Sequence, residues 1–199
     1  DGYVEKHEIP SLAPIHELMA AWPVIWIDVD GLGDAQVVRD IGHIFKLHPL
    51  ALEDVLHTHQ HAKAEHYDGV LFVVLQMLRS EEQWDTEQVS TFVGPNFVIT
   101  FQERPGDCLE PARQRVRSRD RQKLVGSPAL LLHAILDAII DSYFPLVENC
   151  GERLDDLETE VLERPERGVM ERIHAVKHDL RLVRRASWPL RDALNTLLR

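Results

Sequence analysis

The chain of 199 residues is 44% hydrophobic and 28% charged, which gives it enough apolar material for a buried core and excludes a disordered chain. A formal net charge of -11 argues against nucleic acid as the main partner, because phosphate recognition draws on an excess of lysine and arginine; cations or basic partners fit better. The two cysteines, Cys108 and Cys150, lack the spacing of a zinc or redox motif and read as reduced thiols of a cytosolic compartment.

Residues 24–29 are rich in β-branched and aromatic side chains and end in the turn Asp30-Gly31-Leu32-Gly33, after which Asp34 can cap a helix to about residue 47. Asp28, Asp30 and Asp34 have part of the spacing of a calcium loop. Leu32 and Arg39 stand where that loop places oxygen ligands, so no calcium is expected there. Residues 48–56 read as a short helix with Pro49 in the first turn, where the missing amide proton costs nothing. Its apolar face is Leu52, Val55 and Leu56. Glu53 and Asp54 are left as adjacent carboxylates pointing away, either favourable to the helix dipole or ligands of a hard cation shared with another element.

His57, His59, His61 and His66 follow. Imidazole binds zinc, cobalt and nickel, but there is no cysteine among them and no tetrahedral spacing, so a polar connection is expected. Residues 70–78 are continuously apolar, as in a strand covered on both faces. An acidic loop over residues 81–87 leads to strands over 88–93 and 96–102, which flank the hairpin signal Gly94-Pro95. Residues 109–123 carry bases at every second position, which wrap around a helix without making a stripe, and no aromatic residues interleave. A solvated helix and loop is expected there.

From Ser127 onward the pattern is heptad. Leu136, Ile140, Tyr143, Val147, Cys150, Leu154, Leu157 and Val161 fall at alternating steps of four and three, and Pro145 is expected to kink this arm. Residues 164–168, Arg-Pro-Glu-Arg-Gly, reverse the chain. The seam resumes at Val169, Ile173, Val176, Leu180, Val183, Ser187, Leu190, Leu194 and Leu197. The first arm is acidic and the second basic, which aids an antiparallel coiled coil at about 0.2 to 1 kcal/mol per exposed pair. The second arm has no stop signal before Arg199 and the chain opens on Asp1; a fragment is expected, with its last helix continuing. The most apolar run, residues 129–140, holds His133 and Asp137 and falls short of the roughly 20 residues of a spanning helix, so no membrane crossing is expected. No nucleophile, base and orienter constellation stands out and no phosphate-cradling glycine loop, which points to a binding or assembly module and not an enzyme.

Several stretches taken together resemble one family: His48-Pro49-Leu50-Ala51-Leu52-Glu53-Asp54-Val55-Leu56, His59-Gln60, Gln88-Val89-Ser90, Phe97-Val98-Ile99-Thr100-Phe101-Gln102-Glu103 and Trp188-Pro189-Leu190-Arg191. Over nearly its whole length the chain is similar to the cytoplasmic domain of CorA-type magnesium and cobalt transporters. The resemblance implies an α+β fold: an α/β/α sandwich with a mixed sheet over residues 1–126, then a long antiparallel helical hairpin over 127–199 whose second arm begins the stalk to a pore. It further implies a homopentamer on the cytoplasmic face of the inner membrane, with spanning segments and a Gly-Met-Asn sequence that lie outside residues 1–199. A regulatory Mg2+ between subunits, or Co2+ or another divalent cation, closes the pore in this family, and its acids match Asp54, Glu53 and Asp137. The partner aspartate on the neighbouring stalk is expected beyond Arg199. His61-Ala62 departs from the family's usual Arg-Pro, which leaves open a domain of the ZntB-type zinc transporters. The other open reading is a soluble coiled-coil interaction protein.

Overall fold

Residues 70–78 are apolar on both alternating faces and residues 97–102 are buried throughout, so the sheet has to be covered on both sides. The computed structural model describes residues 4–80, 84–117, 127–163 and 168–198. In chain order the elements are α1 (Ile15–Ala21), β1 (Ile25–Asp30), α2 (Ala35–Phe45), α3 (Pro49–Leu56), β2 (Lys63–Tyr67), β3 (Val70–Ser80), β4 (Trp84–Val93), β5 (Phe97–Gln102), α4 (Glu110–Arg117), α5 (Pro128–Asp141), α6 (Phe144–Glu163) and α7 (Val169–Leu197). The sheet order is β1-β5-β4-β3-β2. Strands β2 to β5 form an antiparallel meander, and β1 lies parallel to β5, which makes the sheet mixed. At the β4–β5 hairpin, Gly94 N–H donates to Phe97 O at 2.9 Å. A Cβ on Gly94 would stand 2.3 Å from the Phe97 ring, so this turn needs glycine for room.

One face of the sheet presents Phe72, Val74, Phe92, Ile99 and Phe101 to Ile15, Val38, Ile41 and Val55 of α1, α2 and α3. The opposite face presents Val73, Leu75, Met77, Val89 and Val98 to Leu109 and to Ala112, Ile135, Ile139 and Leu146 of the later helices. The architecture is an α/β/α sandwich, with α7 also packed along β2, β3 and β4.

Several elements depart from the expectations of sequence. Helix α1 and strand β2 carry no clear period; Lys63–Tyr67 becomes a strand because β3 offers it a ladder from Lys63 opposite Val74 to Tyr67 opposite Val70. Strand β4 begins at Trp84, so Asp85, Thr86 and Glu87 are strand and not loop, paired as far as Ser80 with Trp84. The first arm is two helices. Helix α5 ends at Asp141, and Pro145 sits in the first turn of α6, where its missing N–H costs nothing; the arm is interrupted at Ser142 and Tyr143, just before the proline, and not bent within one helix. The antiparallel hairpin is therefore α6 with α7, while α5 lies on the sheet. Helix α7 runs 29 residues through Pro189, about 44 Å at 1.5 Å per residue. Of the expected turn, residues 164–167 lie outside the described residues, as do residues 118–123 of the expected basic helix.

The seam is also displaced at alternate steps. Tyr143, Cys150 and Leu157 are buried as expected, but Val147, Leu154 and Val161 are 44%, 45% and 48% exposed. The inward stripe runs instead through Leu146, Arg153 and Glu160. On α7 it runs through Asp179 and Ala186, with Leu180 exposed. The physical reason is pairing across the hairpin: Arg153 Nη1 lies 2.5 Å from Asp179 Oδ2, and Arg172 pairs with Glu160. By length and composition the helical stretch 128–162 could cross a membrane, contrary to the estimate from residues 129–140. Its apolar character comes from Leu131, Leu132, Ile135, Ala138 and Ile139, which α5 buries beneath the sheet.

Candidate functional site

Helix α3 starts from His48, whose Nδ1 accepts from Leu50 N–H at 3.3 Å, with Pro49 at the first helical position. It is fixed by Ala51 and Val55 in the core and by Leu52 against Gly42 of α2, where a Cβ would stand 2.3 Å from the leucine. That packing leaves Glu53 exposed and turns Asp54 toward β2. Lys63 Nζ donates to Asp54 Oδ2 at 2.6 Å and lies 2.9 Å from Glu65 Oε2. Burial works against the Lys63 charge, but hydrogen bonds to Asp54 and Glu65 outweigh it and hold the ammonium above its ordinary pKa. Gln88 Nε2 donates to Asp54 O at 2.9 Å and so ties the end of α3 to β4.

Asp137 lies on α5 with one oxygen 2.5 Å from Arg115 Nη2 of α4. Its side chain is 39% exposed. Helix α3 belongs to the core on one face of the sheet and α5 to the core on the other. One chain therefore does not bring Asp54 and Glu53 together with Asp137; a site that uses all three takes them from more than one copy. The histidines are dispersed as well. His57 ends α3 with Nδ1 3.0 Å from Glu53 O, His59 and His61 line an open cleft of about 510 Å³ beside Arg104 and Arg185, and His66 lies in β2.

A second polar cluster was not anticipated. Asp28 and Asp30 occupy alternate positions of β1, opposite Thr100 and Gln102 of β5. Thr100 Oγ1 donates to Asp28 Oδ1 at 2.6 Å, and Gln102 Nε2 donates to Asp28 Oδ1 at 2.9 Å and Asp107 Oδ2 at 2.8 Å. Arg113 of α4, expected in a solvated helix, donates to both Asp28 and Asp107 and lies 5.8 Å from the Trp26 ring centroid. Hydrogen bonds to Asp107, against the cost of burial, hold Arg113 above its usual pKa. Burial works against the Asp107 charge too, yet bonds from Arg113, Gln102 and Leu109 N–H keep its carboxyl below the ordinary range. Asp30 is pushed up by burial and by the nearby Asp28 and Asp107. The only trace of this cluster in the sequence is the alternation of Asp28 and Asp30, which places both on one face of a strand. A further ion pair, Arg79 with the fully buried Glu87, joins β3 to β4. Such carboxylates can hold hard cations through oxygen, and none is set beside an activated nucleophile.

A family model described as CorA-like Mg2+ transporter protein matches residues 23–199. The cobalt/magnesium transport protein CorA of Thermotoga maritima is 38% identical over 177 residues, a match covering 87% of this chain and 50% of that protein. The chain thus spans about half the length of this relative. The soluble domain of CorA from Methanocaldococcus jannaschii has the same fold, with a TM-score of 0.74 at 20% identity, covering 87% of this chain and 70% of that one. The cytoplasmic domain of ZntB from Vibrio parahaemolyticus is also similar, with a TM-score of 0.69 at 15% identity over 86% of this chain and 68% of that one.

Proposed function

This chain belongs to the CorA-like Mg2+ transporter family, and from that membership we propose that it is the cytoplasmic, divalent-cation-sensing domain of a Mg2+ and Co2+ transporter. It binds and gates; it does not catalyse. The observation that carries the reading is the placement of Asp54 and Asp137 on opposite sides of the sheet, each partly exposed and each held by one cation of its own chain. Carboxylates so placed meet only across an interface between copies. There they repel one another, and a Mg2+ that keeps some of its waters bridges them through oxygen contacts. Metal binding favours the packed ring of subunits, a homopentamer at the inner membrane, and a closed pore. When Mg2+ falls the ion leaves and the repulsion returns. The α7 stalk, which with α5 and α6 makes up the proposed second domain from residue 127 onward, then gains the freedom that opens the pore.

A metal shifts such an equilibrium only through its differential affinity for the two states. Lys63 and Arg115 compete for the same oxygens, so the site is weak, as a sensor of an abundant ion has to be. The test is current or uptake by the full-length protein carrying Asp54→Asn across a range of internal Mg2+, alongside Mg2+ protection of this chain from proteolysis. Inhibition and protection should both require more Mg2+ in the variant. If neither moves, Asp54 is not part of the sensor. Protection by Zn2+ at concentrations where Mg2+ gives none would favour a ZntB-like domain, and Mg2+-independent binding of a helical partner would favour the coiled-coil reading.

A further inference from the structure

Ligand oxygens of Asp28, Asp30 and Asp107 all lie within 4.8 Å of one another. Arg113 pairs with both Asp28 and Asp107, but the Asp30 carboxylate makes no side-chain hydrogen bond or ion pair among the described residues. Three carboxylates and one guanidinium leave an excess of negative charge at the end of β1. A second observation points the same way. Gln102, opposite Asp30 in the ladder, is fully buried and donates its amide N–H groups to Asp28 and Asp107. Its Oε1 is buried without a hydrogen-bond partner. Buried amide oxygens are otherwise satisfied by a donor, a water or an ion.

We propose that Asp30, Asp28 and Asp107 form a second binding site for a hard divalent cation, distinct from Asp54, Glu53 and Asp137, with Gln102 Oε1 as the neutral oxygen at its inner edge. Calcium-to-oxygen bonds of 2.3 to 2.6 Å put opposite ligands about 4.6 to 5.2 Å apart, and magnesium bonds of 2.0 to 2.1 Å about 4.0 to 4.2 Å. Oxygens up to 4.8 Å apart therefore reach a calcium-sized ion directly and a magnesium ion through one retained water. The site is not the calcium loop excluded above, since Asp34 caps α2 through Gln36 N–H and the third acid comes from the entry to α4. Arg113 beside two of the ligands keeps the affinity low. Because Asp107 holds the entry to α4 through Leu109 N–H and Arg115 of α4 holds Asp137, an ion here also stiffens the support of the other candidate site.

The experiment uses this chain with Glu53→Gln, Asp54→Asn and Asp137→Asn, so that the acids of the proposed regulatory site are absent, and Mn2+ as the paramagnetic probe. Trp26 Nε1 donates to Thr100 Oγ1, which donates to Asp28, whereas Trp188 is exposed on α7. Equimolar Mn2+ should broaden the Trp26 indole resonance well before that of Trp188. Adding Asp30→Asn should abolish the preference and weaken Mn2+ binding, read from free Mn2+ by electron paramagnetic resonance, at least tenfold. Parallel broadening of the two indoles would overturn the site, as would Mn2+ affinity unchanged by Asp30→Asn in a variant with native circular dichroism. Should that variant not fold, the indole comparison decides alone.

Discussion

Lys63 is a cation already seated on Asp54, with side chains 28% and 22% exposed. A partly exposed pair of this kind contributes on the order of 1 kcal/mol. Replacing Lys63 with Met should free the carboxylate and lower the Mg2+ needed for half-protection from proteolysis by up to about fivefold. Unchanged or weaker protection would mean that Lys63 orients Asp54 more than it competes for it. Tyr143 is a residue of another kind. Its hydroxyl donates to Gln76 O at 2.5 Å, and burial, with Cys108 a lesser influence, raises its pKa. A raised acid contributes stability that is complete below the unfolded value of about 10 and is lost as pH rises toward the higher folded value. Urea unfolding should show Tyr143→Phe costing about 1 kcal/mol at pH 7, with a shallower loss of stability above pH 10 than the parent chain.

At the scale of elements the hairpin is set by an ion pair that a one-dimensional pattern hides. The heptad period of α6 and α7 was legible because Tyr143, Cys150 and Leu157 recur with it, but its phase was not. Arg153 and Asp179 look like surface residues until the other helix is present, and then they face inward and leave Leu154 and Leu180 outside. Strand β2 was hidden for the same reason, since its ladder belongs to β3. Glu53 and Asp54 could be read from the helix that carries them, and Asp137 from the family resemblance. Asp107 and Arg113 could not be joined to Asp28, because the contact spans the sheet and a loop. The hairpin pair makes its own prediction. Asp179→Ala strands Arg153 and should cost about 1 to 3 kcal/mol in urea unfolding, less than a fully buried pair because Arg153 is one-third exposed. Replacing both Arg153 and Asp179 with Leu should restore the parent stability or exceed it. A double variant as weak as the single would show that the charges hold the register.

At the scale of the whole molecule, a sheet covered on both faces keeps Asp54 and Asp137 apart and makes any shared site a property of the assembly. A contact that joins different patches of neighbouring copies builds a ring. Chains carrying Asp54→Asn and chains carrying Asp137→Asn should each lose Mg2+-dependent association in sedimentation velocity. Their mixture should recover part of it, because one intact half-site then meets the other. No recovery would mean that the two acids do not share an interface. The parallel pairing of β1 bears on something else, the order in which a ribosome can build this sheet. The partner of β1 is β5, with Asp28 and Thr100 72 residues apart. At about 5 to 20 residues per second an emerging chain holds β1 unmatched for roughly 4 to 14 seconds. Strands β2 to β5 need no such delay, since each pairs with the next. During that wait the unmatched β1 can add to the open β5 edge of a neighbouring nascent chain, and crowding on one messenger favours that exchange.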